Sequence, residues 1–380
     1  MNRLRFAALL LAVLGGTALA RAAGVPPLQH VATFDLRSQV MENRNEPLVA
    51  RLDYSEKGRR LLVLTRSSQP SKRSSAFIYH LLLFDTATAA PETQIRLNDI
   101  LAGGSRDVYA GFLDEEHYFA ASENELLVFR IGATQPVARH AGDHGSHFAN
   151  RSHIAHREHM LDWQSGKTFP VSAGTLGVSD LTADGWVLSG ERNGYIARHH
   201  PVSGEYWEWD SGLRNPYPFV SASGRHVIAV GSRFDCRVWR VPSRAALGDC
   251  TQRDPGRTVL ARYAAHPTLE RFAAAWDDTI QVYELDPFQR IAEVKSDAPV
   301  QRLAFAGDTR LVVFTERAIQ VWDMAQTRLI ASASDADGSF MGIDKRPSVM
   351  ELVNPNGRQV VAAHGAHQRL ELRFYALPEQ

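Results

Sequence analysis

The residues best suited to chemistry are histidines crowded into one stretch. Six of the fifteen fall within twenty residues: His140, His144, His147, His153, His156 and His159. Neutral imidazole ligates zinc, copper and nickel, and His-rich tracts suggest metal binding. In the strand pattern read below, His144 and His147 fall in a loop, while His156 and His159 flank a hairpin at Arg157-Glu158. Both segments reach the same side of one unit, so these four form the candidate set for a divalent metal. Residues three apart on a strand point to opposite faces. No single segment therefore chelates alone, as two histidines one helical turn apart do. The alternative is that they are polar strand and loop residues with backbone partners. His199-His200 repeats the pattern more weakly and reads as structural.

Other catalytic signatures are missing. The sequence has no Gly-x-Ser-x-Gly elbow, no phosphate-binding glycine loop, no His-Glu-x-x-His and no complete calcium loop. Asp335-Ala336-Asp337-Gly338 lacks the later ligands of such a loop, and Asp277-Asp278 falls in a hairpin. Trp207 and Trp209, two apart, share a strand face and serve either a carbohydrate platform or core packing. The expectation is a non-enzymatic chain with no resident cofactor; the alternative is a propeller enzyme or metal-binding protein that holds a divalent metal at a site including the His140–His159 stretch.

The elements that position these residues are short strands. In 310–333, three apolar or alternating runs are separated by turn-sized gaps, Glu316-Arg317 and the link after Trp322-Asp323. That pattern reads as antiparallel strands joined by hairpins. Aligning on Trp322 gives Phe84, Phe129, Leu161, His199, Trp239, Tyr283, Trp322 and Phe374. Upstream of each lies a polar turn: 55–59, 114–116, 150–151, 183–185, 222–225, 268–271, 307–310 and 354–358. Several of these supply the positive φ of tight hairpins through Asp-Gly, Ser-Gly or Asn-Gly. The spacing averages about 41 residues, the period of propeller repeats.

The order of runs, the Trp-Asp pair and the period resemble a WD40-type propeller blade, and the chain is similar to exported bacterial propellers with WD40-like repeats. The likeness spans the whole sequence after its leader. It implies an all-β propeller of four-stranded antiparallel blades. Eight landmarks predict eight blades; seven is the alternative, because the step from Phe129 to Leu161 is short enough to lack a strand. The last unit offers three strands and the lone strand at 28–36 has no unit of its own, so their pairing is expected to close the ring. The family's Gly-His pair ahead of each blade is absent.

Arg3 and Arg5 precede an apolar run at 6–20 ending Ala18-Leu19-Ala20. This is the pattern of a secretory signal peptide, too short for a bilayer span. The expected organisation is a leader at 1–20 and one propeller at 21–380, periplasmic or secreted, with no transmembrane segment after cleavage. Losing two arginines turns 42 basic against 42 acidic residues into 40 against 42. That balance argues against nucleic acid as a partner. Two cysteines in an exported chain invite a disulfide. The midpoint of Cys236 and Cys250 is Ser243, close to the turn expected after Trp239, which sets them opposite each other on one hairpin.

In such propellers one face carries the inter-blade connections and the hairpins between second and third strands. The insertions at 67–75, 98–106 and 334–346 fall there. Long loops on a rigid scaffold are where binding concentrates. Lys72, Arg73, Arg106, Arg192, Arg233, Lys345 and Arg346 are the candidates for contact with another envelope or secreted protein, or with an envelope polymer.

Overall fold

A computed structural model describes residues 25–40, 47–68, 77–102, 107–142, 148–150, 152–155, 159–171, 176–232, 235–250, 261–315, 317–334, 351–366 and 369–379. They form eight four-stranded antiparallel sheets. Seven of these, blades 1 to 7, take their strands in chain order over 47–96, 108–141, 148–170, 178–210, 217–249, 261–295 and 300–334. The eighth combines 351–376 with the N-terminal strand Gln29–Asp35.

Why the strands take these places follows from their composition. Second and third strands such as Arg60–Ser68 and Phe77–Asp85 are nearly continuous apolar runs and are buried along most of their length. A strand covered on both faces has no polar side to present. Fourth strands such as Ala90–Arg96 keep every other residue or more in solvent and form the rim. First strands line the centre, and neighbours touch around it, including Pro47–Tyr54 of blade 1 against Glu351–Val353 of blade 8.

The core is divided between the blades. Eight apolar clusters each join residues of two adjacent blades. The cluster between blades 8 and 1 unites Leu61, Val63, Leu82 and Phe84 with Val361, Leu372 and Phe374. An open row of eight units would have seven such joints. Eight joints make a ring.

The N-terminal segment locks that ring. Gln29–Asp35 pairs antiparallel with Arg369–Ala376 as the outer strand of blade 8. Just before it, Leu28 donates its N–H to the Ser332 carbonyl of blade 7 at 2.9 Å. Just after it, Val40 of the short helix Arg37–Val40 is buried in the joint between blades 8 and 1. One segment thus holds three blades.

All eight aligned landmarks fall on third strands. The aspartate after three of them has a local job. Asp85, Asp162 and Asp323 each accept two backbone N–H groups of the turn that follows. In blade 4 His200 takes this place and accepts from the Ser203 N–H through Nδ1 at 3.1 Å. In blades 1, 5, 6 and 7 the ladder slips just ahead of the landmark, leaving Glu92, Leu247, Ile291 and Ile330 as bulged residues of the rim. Bulges bend an edge strand and blunt it against pairing with another chain.

Blade 3 lacks no strand, so the seven-blade alternative does not hold. Its short step reflects strands of two to four residues, from Phe148–Ala149 to Thr168–Pro170. Cys236 and Cys250 form a disulfide with Cα atoms 4.9 Å apart, between the third strand and the end of the fourth in blade 5. The Cys250 N–H bonds the Cys236 carbonyl at 2.9 Å, as the expected register requires.

Candidate functional site

The turns between first and second strands gather on one face, where they are clasped from blade to blade. The Asn354 side chain donates to the Gly58 carbonyl at 2.8 Å, joining blades 8 and 1. Asn150 donates to the Thr182 carbonyl of blade 4, and His266 to the Gly307 carbonyl of blade 7. Arg310 donates to the Gly357 carbonyl of blade 8 at 2.8 Å. Glu115 of blade 2 accepts the Lys57 N–H of blade 1, and Glu270 of blade 6 accepts the Ser223 N–H of blade 5. This belt satisfies buried carbonyls and leaves that face short and closed. It is built to hold the ring.

The opposite face carries the connections and the hairpins between second and third strands. Asn98, in the link from blade 1 to blade 2, accepts from the Tyr79 N–H at 2.7 Å and donates to the Phe77 carbonyl at 2.9 Å. It therefore braces the root of the 69–76 insertion against the root of the 103–106 insertion. Glu125, 4% exposed, pairs with Arg139 at 2.6 Å and accepts the Ala102 N–H. Arg139 reaches on to the Ile100 carbonyl. Equivalent ties occur where Ser211 meets Gly194 and where Ser296 meets Asp278. The described residues that flank the connections on this face are thus held in place.

Arg192 lies here, exposed in the hairpin between Val187–Gly190 and Tyr195–His200. Lys72, Arg73, Arg106, Arg233, Lys345 and Arg346 lie outside the described residues, as do Asp335, Asp337 and Gly338.

Of the proposed metal ligands, His144, His147 and His156 also lie outside the described residues. His159 opens the third strand of blade 3, half-buried and opposite Pro170. Two further members of the stretch have structural bonds. His140 donates from Nε2 to the Trp163 carbonyl at 3.1 Å. His153 Nδ1 lies 2.7 Å from the Ser152 hydroxyl. Burial pushes the His153 imidazole below its ordinary pKa, against the opposing pull of Asp162. Among the described residues no three His, Cys, Asp or Glu side chains converge on one point. His200 donates to the Asp184 carbonyl at 3.0 Å and packs edge-on against Trp186, a structural role.

Trp209 is buried in the joint between blades 4 and 5, and Trp207 stacks near Trp186 with Arg198 over both rings. The pair belongs to packing, with no open aromatic platform.

A cleft of about 470 Å³ opens on the inner ends of blades 1 to 3. Arg51, Asp53, Glu56, Tyr109 and Asp114 are its polar walls. Asp53 accepts the Phe112 N–H of blade 2 at 2.8 Å, and burial raises its carboxyl pKa. Glycine at 111 permits this approach, since a Cβ there would stand 3.0 Å from the carboxylate. Asp180 repeats the clasp in blade 4, accepting the Val220 N–H of blade 5 at 2.9 Å. No Ser, Thr, Cys, His or Lys is among the described residues of the cleft. Its polar groups are thus carboxylates, tyrosine hydroxyls and the Arg51 guanidinium.

Sequence reasoning did not find the clasping residues, because Asn, His, Arg and Glu tie neighbouring blades with no motif shared among them. Nor did it find the inner-strand residues, whose proximity arises only from ring closure. No family model matches the chain, and no curated protein matches it.

Proposed function

We propose that this chain is an exported, non-enzymatic scaffold that binds another envelope or secreted protein, or an envelope polymer, through the face carrying its inter-blade connections. One observation carries the reading. Insertions are rooted on that face by Asn98 and Glu125, while the opposite face is closed by short clasped turns. Variable loops on fixed roots are the usual arrangement of a recognition surface. The Cys236–Cys250 bond suits an oxidising compartment, in keeping with cleavage of a leader after Ala20.

The test is site-specific photo-crosslinking in the producing cell. A crosslinker at Arg192 is expected to give a discrete adduct, and one at Gln164, exposed in a turn of the opposite face, is expected to give none. Adducts from Gln164 alone, or identical smears from both, would show the assignment of the face to be wrong.

A further inference from the structure

The outer edge of blade 4 is built differently from the other rims. In blades 1, 5, 6, 7 and 8 the outer strand carries a bulge, and in blades 2 and 3 it has only four and three residues. The outer strand of blade 4, Glu205–Asp210, runs six residues against Tyr195–His200 in unbroken register. Two bonds fix which of its backbone groups turn outward. The Ser211 N–H donates to the Gly194 carbonyl at 3.1 Å, and the Tyr195 carbonyl accepts the Glu191 N–H on its other side at 2.8 Å. Bonding alternates along an antiparallel ladder. Glu205, Trp207 and Trp209 therefore bond inward, while Tyr206, Glu208 and Asp210 aim their N–H and C=O groups away from the sheet. Among the described residues the one contact with these groups is long, 3.5 Å from Arg244 Nη1 to the Glu208 carbonyl.

Such a row is a ready template for another strand. The side chains decide which strand fits. Tyr206, Glu208 and Asp210 share one face, with the Tyr206 hydroxyl 3.4 Å from the Glu208 carboxylate, and Glu205, Trp207 and Trp209 share the other. Glu205, Glu208 and Asp210 are exposed, and none forms an ion pair with a described residue. The neighbouring cations are engaged elsewhere: Arg237 pairs with Asp249 at 2.6 Å, and Arg198 lies over the rings of Trp186 and Trp207. A second copy of this edge would set carboxylates beside carboxylates, which destabilises a strand pair. A strand that alternates basic with apolar residues would instead place its cations beside Glu208 and Asp210 and its apolar groups along the half-buried Trp207.

We propose that the outer edge of blade 4 takes up an extended basic segment of a partner protein as a fifth strand. Main-chain bonds to Tyr206, Glu208 and Asp210 supply affinity, and the carboxylates select for lysine or arginine. This surface lies on the rim, apart from the connection face.

Fluorescence anisotropy of a labelled peptide alternating lysine with valine, titrated with the full chain, tests it. Saturable binding is expected, weakening as salt rises, and a peptide with glutamate in place of lysine should not bind. The lysine peptide N-methylated on two adjacent central residues, one facing each edge, should bind about tenfold or more weakly. In the protein, Glu208→Gln and Glu208→Pro both remove the carboxylate. Only Glu208→Pro also removes the outward N–H, and it takes no bond from the ladder. It should bind the peptide about tenfold or more weakly than Glu208→Gln does. If Glu208→Pro fails to fold, the methylated peptide decides. No saturable binding, equal affinity for the plain and methylated peptides, or equal affinity of the two variants overturns the proposal. So does sedimentation of a dimer that Glu208→Pro abolishes, since the occupant would then be a second copy. A failed capture at Arg192 bears only on the connection face and leaves this measurement standing.

Discussion

At the scale of single residues, the ring is held by polar contacts that hydrophobic patterning does not reveal. Asn354 is 1% exposed and spends its amide on the Gly58 carbonyl and the Asn356 N–H. Asn354→Ala leaves both without that partner, and urea unfolding should show a loss of about 1–3 kcal/mol. Gly58 has φ +67° and a Cβ there would fall 1.6 Å from the Asn354 carboxamide oxygen. Gly58→Ala should therefore cost more than Gly132→Ala, where φ is +79° but nothing lies within 4 Å and backbone strain acts alone at about 1 kcal/mol. Equal losses in the two variants would contradict the clasp. Glu270 adds a pH-dependent contact. Burial alone would raise its carboxyl, but hydrogen bonds from Ser223, His226 and Ser221 outweigh burial and hold it at about 2. A carboxyl depressed on folding stabilises above its unfolded pKa, and that share is lost as pH falls from about 4.5 toward 2. Denaturation midpoints measured across that window should fall more steeply for the wild type than for Glu270→Gln.

At the scale of elements, the sequence was most legible where one blade repeats another. Phe84, Trp239, Tyr283 and Trp322 marked third strands because apolar runs and turn residues recur around them at nearly fixed spacing. Blade 3 was ambiguous for a physical reason: strands as short as Phe148–Ala149 and His153–Ala155 hold too few residues to show alternation. The disulfide was legible because register follows from arithmetic about a turn. The bulge between Val238 and Trp239 was not, yet it lies on the turn side of the cysteines and leaves them paired. This bond closes a loop with a sequence separation of 14. Cys236→Ser with Cys250→Ser should lower stability by about 3 kcal/mol in the chain-entropy picture. Thermal unfolding of the double variant against wild type under non-reducing conditions measures it. No change would mean that the buried joint around Phe272 and Leu285 holds blade 5 without the bond.

At the scale of the whole molecule, closure fixes where the connections of one blade stand relative to those of the next, since an open array would lack the joint between blades 8 and 1. Closure was readable from a last unit one strand short and an N-terminal strand with no unit of its own. The cleft at the inner ends of blades 1 to 3 was not readable, because Arg51, Tyr109 and Asp114 lie on different blades and come together only when the blades pack side by side. The clasped turns escaped notice for a related reason: Asn, His, Arg and Glu do one job with no shared motif. Closure requires Gln29–Asp35 to be a structural strand of blade 8 rather than a tail resting on it. Native-state hydrogen exchange read by mass spectrometry tests this most directly. Amides of 29–35 facing Arg369–Ala376 should exchange as slowly as those of the internal pair Thr279–Leu285 and Phe288–Lys295. Exchange of 29–35 within seconds, with 279–295 still protected, would contradict a ring closed by its N-terminal strand.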